Sequence, residues 1–332
     1  MGYKQQRTKD KGQTTKDKQR TTKDKIVMLA QEESQTQFYT WKGYQCAYEV
    51  REPKLTSQES PVALLLIHPI GVGLSRRFWD RFSQQWQGGN GAETIYNPDL
   101  LGCGETASPR VAYYPEDFAA PLKHLIENII KKPVVIISQG ASFPITLELL
   151  GMTASENIAG LILAGPPAWS IITQPKSERQ QRWLWNLFNS PLGGLFYRYA
   201  RRRQFLESFS VRQLFGKAED VDQQWLEMLK AGSADMASRH AVFSFLAGFW
   251  RKNYESAIAQ IKQPTLVLMG ETASSISKDS QPEAPQKRID QYCQTLPNGQ
   301  GKILPGRNVL PYESTTAFTE ACKEFLQQLR NF

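Results

Sequence analysis

The sequence predicts an α/β fold: a doubly wound, mostly parallel sheet with an inserted helical lid. Three features predict it. Uninterrupted apolar runs at residues 61–67 (PVALLLI), 134–137 (VVII), 158–164 (IAGLILA) and 264–269 (PTLVLM) have the length and pattern of strands buried on both faces. Segments of helical period separate most of these runs, and alternating strands and helices build a parallel sheet through crossover connections. One stretch, from Trp169 to about Trp250, breaks the alternation. It shows no strand pattern and is rich in aromatics, among them Trp183, Trp185, Phe188, Phe196, Tyr197 and Phe205. These features divide the chain into a tail (1–30), a core (31–168 and 251–332) and a lid (169–250).

In chain order, residues 38–50 alternate enough for a strand pair, FYTW then QCAYEV. The run 61–67 is the first buried strand. It leads into a helix with Phe78, Trp79, Phe82 and Trp86 at helical spacing, and Thr94 to Tyr96 starts the next strand. Residues 115–131 read as a helix with Glu116 and Asp117 in the first turn and lysines in the last, the arrangement the helix dipole favours. After 134–137 the chain turns sharply at Ser138-Gln139-Gly140-Ala141-Ser142 into a helix through Leu150. The runs 158–164 and 264–269 follow as strands, a last strand falls near Lys302 to Leu304, and residues 314–329 close as a helix.

Composition bounds the function. Of the net charge of +8, residues 1–28 supply +6, from nine Lys/Arg against three Asp. The remaining 304 residues carry 31 basic and 29 acidic groups, so no nucleic-acid partner is expected. Residues 7–27 repeat a polar seven-residue unit, RTKDKGQ, TTKDKQR, TTKDKIV, without an apolar seam, so the tail is expected to be disordered. It reads either as a basic arm for an anionic partner or as a translated repeat upstream of a start at Met28, and the interspersed aspartates favour the second. Four separated cysteines, Cys46, Cys103, Cys293 and Cys322, without a CxxC, point to a reducing compartment. No apolar run reaches the roughly 18 residues needed to span a bilayer. A soluble cytoplasmic protein is expected, with neither metal nor cofactor.

The segments HPIGVG, NPDLLGCGE, YYPEDFAAPL, VVIISQGAS, LILAGPP, PTLVLMGE and ILPGRNVLPYE occur in an order and spacing that resemble the α/β-hydrolase superfamily, in its lid-bearing, haloalkane dehalogenase-like and esterase-like branch. The resemblance covers residues 38–330. The repeat tail and NVLPYE are similar to cyanobacterial and plastid members. Such proteins carry a nucleophile in G-x-S-x-G on a strand-to-helix turn, an acid after a later strand, and a histidine last.

Laid on this chain, the resemblance puts Gly140 at the nucleophile, Ala273 at the acid (Gly270-Glu271-Thr272-Ala273) and Val309, or Asn308 if the loop is one residue tighter, at the histidine. Gly140 has no side chain with which to attack, Ala273 carries no charge, and neither Val309 nor Asn308 exchanges a proton near neutral pH. The chain's three histidines are His68, His124 and His240, and none follows residue 240. The resemblance therefore implies a degenerate triad. Ser138 and Ser142, two residues to either side of Gly140, are expected to face the scaffold. The oxyanion side is retained, with backbone N–H groups of Ile70 and Ala141 as the implied donors.

His68 is expected beneath the pocket floor, and Gln139, Trp169, His240 and Asn308 complete the candidate pocket. His124, beside Lys123 on a surface-type helix, is read as inert. The segment from Phe196 to Phe205 interleaves four arginines with four aromatics, so Arg201, Arg202 and Arg203 form a candidate contact with an anionic membrane. The expected function is a pseudo-hydrolase that binds a small apolar or acyl-bearing ligand, or a protein partner, as neuroligins in the superfamily do. The competing expectation is an active hydrolase or other cofactor-free enzyme, using His68, His240 or Glu271 as base.

Overall fold

The computed structural model describes residues 35–330 except 55–59, 90, 278 and 280–282. The repeat tail lies outside them. Strands β1 (Gln37–Trp41), β2 (Tyr44–Arg51), β3 (Ala63–Ile67), β4 (Ile95–Pro98), β5 (Val134–Gln139), β6 (Ile158–Ala164), β7 (Thr265–Gly270) and β8 (Gly299–Leu304) form one sheet in the order β1-β2-β4-β3-β5-β6-β7-β8. β2 runs antiparallel to both its neighbours, and every pairing from β4 to β8 is parallel.

The central strands are apolar without interruption because both faces are covered. On β3, Leu65 and Ile67 join the core on one face, with Phe118 and Leu122 of α2 (Pro115–Leu125) and Phe143 and Ile145 of α3 (Phe143–Met152). Leu64 and Leu66 join the other, against Phe82 and Trp86 of α1 (Asp80–Gly88). Period-two strands sandwiched by helices thus account for the apolar runs in the sequence.

Between β6 and β7 the described chain is helical. It contains α4 (Glu178–Phe188), α5 (Pro191–Ala200), α6 (Arg203–Phe209), α7 (Gln223–Gly232) and α8 (Arg239–Ala247). After β7, α9 (Pro285–Thr295) precedes β8, and α10 (Thr315–Arg330) closes the chain, packing Phe318 and Phe325 onto the α1 side of the sheet. No helix among the described residues is long and apolar enough to cross a membrane. Two details differ from the expectation. The helix read over 115–131 is an α-helix only to Leu125 and continues as a wider π turn from Ile126 to Ile130. The polar helix α9 had no strong apolar period to reveal it; only Arg288, Ile289 and Tyr292 of it are buried.

Candidate functional site

At the C-terminal end of β5 the backbone swings through a tight turn, Gly140–Ser142, directly into α3. Gly140 holds the turn at φ +61°, a left-handed value that costs other residues about 1–2 kcal/mol. A Cβ built on Gly140 would meet nothing within 4 Å. The dihedral rather than crowding therefore favours glycine, and there is room for a side chain in the space a nucleophile would use. The flanking serines face away from it. Ser142 Oγ donates to the His68 carbonyl at 2.8 Å. Ser138 is buried in β5 between Ile67 and Leu163, and its hydroxyl has no partner among the described residues.

Ala141, next to Gly140 in the chain, lines a cleft together with Ile70, Tyr113, Phe118, Ser244, Phe245 and Trp250. Its volume is about 10 Å³, room for roughly one water molecule. The closing side chains are apolar, with Phe245 stacked on Trp250 at 5.4 Å between centroids. Ile70 and Ala141, the residues expected to supply the oxyanion donors, thus line a cleft closed by Ser244 and Phe245 of the helical segment. Sequence reading missed Tyr113, Phe245 and Trp250, because no local pattern tells an aromatic that closes a cleft from one that packs a core.

The loops after β7 and β8 come together beside this turn. Of the two alternatives for the histidine position, Asn308 rather than Val309 meets the β7 loop: its Oδ1 accepts from the Ser274 N–H at 3.3 Å, next to Ala273. Val309 is buried with Leu268 and Leu304 in the core on the α1 side of the sheet. Asn308 Nδ2 donates to the Gln213 carbonyl at 2.7 Å, and Gln139 Nε2 donates to the Asn308 carbonyl at 2.7 Å. Arg307 braces the junction by donating to Ser274 Oγ and to the Arg212 carbonyl, both at 2.8 Å. Asn308 is therefore joined by neutral hydrogen bonds to Gln139, the residue before Gly140, to Ser274, the residue after Ala273, and to Gln213 of the helical segment. Glu271 is exposed, and Asp279 pairs with Arg251 at 2.5 Å.

The histidines are placed differently from one another. His68 is fully buried. The Leu100 N–H donates to its Nε2 at 3.0 Å, so Nδ1 carries the proton and donates to the Pro69 carbonyl at 2.9 Å. Burial holds this imidazole below its usual pKa and neutral, a clamp between two loops with no nitrogen free. His240 on α8 is buried beside Trp185 and has no partner for Nδ1 among the described residues, but it is not among the cleft-lining residues. Nor is Trp169, which stands edge-on to Tyr292 at 5.2 Å.

Burial, then Arg239 and Arg110, lower the pKa of His240 to about 4. Below its ordinary value the unfolded chain takes up a proton that the folded protein refuses until about pH 4, so this contribution is complete above pH 6.5 and is lost as pH falls through that window. His68 acts with the same sign. Asp80, pushed up to about 6 by burial, acts oppositely. Melting temperatures from pH 7 to pH 4 are expected to fall less steeply in His240→Gln than in the parent, which isolates the His240 share.

Arg201 turns inward and donates to the carbonyls of Ser233 and Ala234, at 3.1 and 3.0 Å. Arg202 and Arg203 are exposed, with Arg202 over the Tyr199 ring at 5.9 Å.

Residues 64–321 match a family described as "Alpha/beta hydrolase family". No curated protein matches the chain. Among solved structures, the chain is similar to an esterase from Thermogutta terrifontis, at 18% identity, TM-score 0.65, covering 89% of this chain and 99% of that one. It is also similar to a serine hydrolase involved in carbazole degradation, at 17% identity, TM-score 0.68, with 89% and 99% covered. An enol-lactonase from Burkholderia xenovorans aligns at 13% identity, TM-score 0.65, with 88% and 100% covered. At these identities the likeness establishes the fold.

Proposed function

We propose that this chain, which belongs to the alpha/beta hydrolase family, is a binding protein built on the hydrolase scaffold and does not run the serine-triad reaction. The observation that carries this reading is that the three positions matching the family's nucleophile, acid and base hold Gly140, Ala273 and Asn308, none of which can fill those roles, while Asn308 is bonded to their chain neighbours Gln139 and Ser274. The remaining candidates for a base do not reach the turn: both nitrogens of His68 are engaged, His240 does not line the cleft, and Glu271 is exposed.

The Ile70 and Ala141 N–H groups remain suited to a carbonyl or carboxylate oxygen. Pockets for small molecules usually measure about 300–1,000 Å³. A small apolar or acyl-bearing ligand therefore enters only if Phe245 and Trp250 swing away; otherwise the partner is a protein that docks outside. The opposing reading, an active hydrolase, draws on the names of the similar structures, two of which are an esterase and a serine hydrolase.

Intact-mass analysis after a serine-reactive fluorophosphonate, beside a p-nitrophenyl ester assay, separates the two. The binding reading expects no added mass and no turnover above buffer. One probe per chain with turnover would make this protein a hydrolase with a nucleophile outside the elbow.

A further inference from the structure

Helix α5 is apolar on two sides. Gly193, Tyr197 and Ala200 face the protein and are buried, while Leu192, Leu195, Phe196 and Tyr199 form a second stripe that lies in solvent. Their spacing of three and four residues makes that stripe one continuous helix face. Leu192 and Leu195 are 64% and 59% exposed. On α4, Trp183, 65% exposed, and Leu187 repeat the pattern one turn apart. Only Asn189 and Ser190 link the two helices, and a Cβ at Gly193 would collide with the Phe188 carbonyl, so they join with backbones almost touching. Large side chains exposed in a group, rather than singly, mark a surface that is covered by something.

The charges around these side chains identify what covers them. From residue 178 to 203 there are six arginines and one acidic residue. Arg179, Arg182, Arg198, Arg202 and Arg203 are exposed and flank the apolar positions on both sides in sequence. Beside Tyr199 lies a cleft of about 220 Å³ lined by Arg202, Phe205, Ser208 and Arg212, two guanidinium groups and an aromatic ring around a space large enough for a phosphate-bearing headgroup. Exposed apolar and aromatic side chains flanked in sequence by exposed arginines supply both chemistries that an anionic bilayer surface takes: apolar groups for the acyl boundary and guanidiniums for the phosphates.

We propose that α4 and α5 dock this protein onto an anionic lipid bilayer, with Leu192, Leu195 and Trp183 entering the acyl boundary and Arg198, Arg202 and Arg203 meeting headgroup phosphates. Docking is independent of what the core cleft binds and uses none of the residues around Gly140.

Flotation of the full chain with vesicles of phosphatidylcholine, with and without phosphatidylglycerol, tests it. Binding is expected to the phosphatidylglycerol-containing vesicles and to weaken with added salt. Arg198→Gln/Arg202→Gln/Arg203→Gln is expected to lower the partition constant on these vesicles by roughly a hundredfold, each surface arginine contributing about fivefold. Leu192→Ser/Leu195→Ser is expected to lower it by at least tenfold. All the substituted side chains are exposed, so circular dichroism and melting temperature are expected to stay at parental values. Absence of flotation at low salt overturns the proposal. So does flotation that survives both helix variants but is lost on deleting residues 1–27, which would assign binding to the basic tail. A dimer in sedimentation velocity that Leu192→Ser/Leu195→Ser dissociates, without flotation of the parent, would assign the surface to a second copy of the chain.

Discussion

Arg76→Met is expected to destabilise the protein by about 3 kcal/mol or more, while Arg77→Met next to it costs less than about 1 kcal/mol. The difference comes from what each guanidinium leaves behind. Arg76 is buried and reaches Asp99 and Glu105, with its Nε donating to Glu49 at 3.1 Å; Asp99 and Glu49 are fully buried. Glu49 keeps Arg51 and Arg77 at 3.3 and 3.2 Å when Arg76 is removed. Among the described residues Asp99 keeps only the N–H groups of residue 76 and Glu105, so its carboxylate loses its counter-charge inside the protein. Arg77 is 41% exposed, and solvent screens its loss.

The measurement is denaturant unfolding of the two variants and of Arg76→Met/Asp99→Asn. If the stranded carboxylate is the cause, the double variant recovers much of the stability lost by the single one. Equal effects of Arg76→Met and Arg77→Met would show that the buried cluster contributes nothing particular. The cluster bears on the site because Asp99 also accepts from the Arg76 N–H at 2.7 Å, and the next residue, Leu100, donates to His68. The loop that carries Ile70 toward the cleft is thus fastened from below.

Nothing in the sequence distinguished Arg76 from Arg77. Two adjacent arginines ahead of an aromatic helix carry no local pattern that separates them, and only the fold shows that Arg76 is buried against Asp99 while Arg77 is 41% exposed. The strands were legible because burial on both faces leaves a run such as IAGLILA with no other stable state. The helical segment after β6 was legible as helical for a related reason, its lack of any two-residue period. What it does over the cleft was not, since Phe245 and Trp250 reach Ile70 and Ala141 only through tertiary packing. Motif spacing singled out Gly140 and Ala273 and left Asn308 and Val309 as alternatives, which the structure separates as a loop side chain bonded to the residue after Ala273 and a core side chain. The arginines after Tyr199 were visible as a charge pattern, yet the inward turn of Arg201 onto two carbonyls depends on α7 ending beside it.

Installing Ser, Asp and His at positions 140, 273 and 308 is expected to create ester hydrolysis where Gly140→Ser alone creates none. A serine at residue 140 has space, since its Cβ would meet nothing within 4 Å, and it accepts a left-handed φ at a cost of about 1–2 kcal/mol. Without a base to take its proton, the hydroxyl is a poor nucleophile. A general base contributes about 10²–10⁴-fold, which is the expected gap in rate between Gly140→Ser and the triple variant. The acid belongs in the design only with its partner: residue 273 is buried, so an aspartate there without the new histidine is an unpaired interior charge.

The histidine, in turn, gives up the asparagine's bonds to Gln213 and Ser274, and the triple variant is expected to melt below the parent. Because the cleft measures only about 10 Å³, the rate is expected to rise again when Phe245→Ala is added, which removes the ring stacked on Trp250. Initial rates on p-nitrophenyl acetate, with fluorophosphonate labelling to count reactive serines, check each step. A Gly140→Ser protein that hydrolyses esters unaided would reveal a base that the geometry does not contain. A triple variant that folds, has an opened cleft and stays unlabelled would mean that these loops meet for structural reasons and do not retain catalytic geometry. Rescue by the triad would mean that the elbow and the oxyanion donors are still aligned for acyl transfer, and that only the reacting side chains are missing.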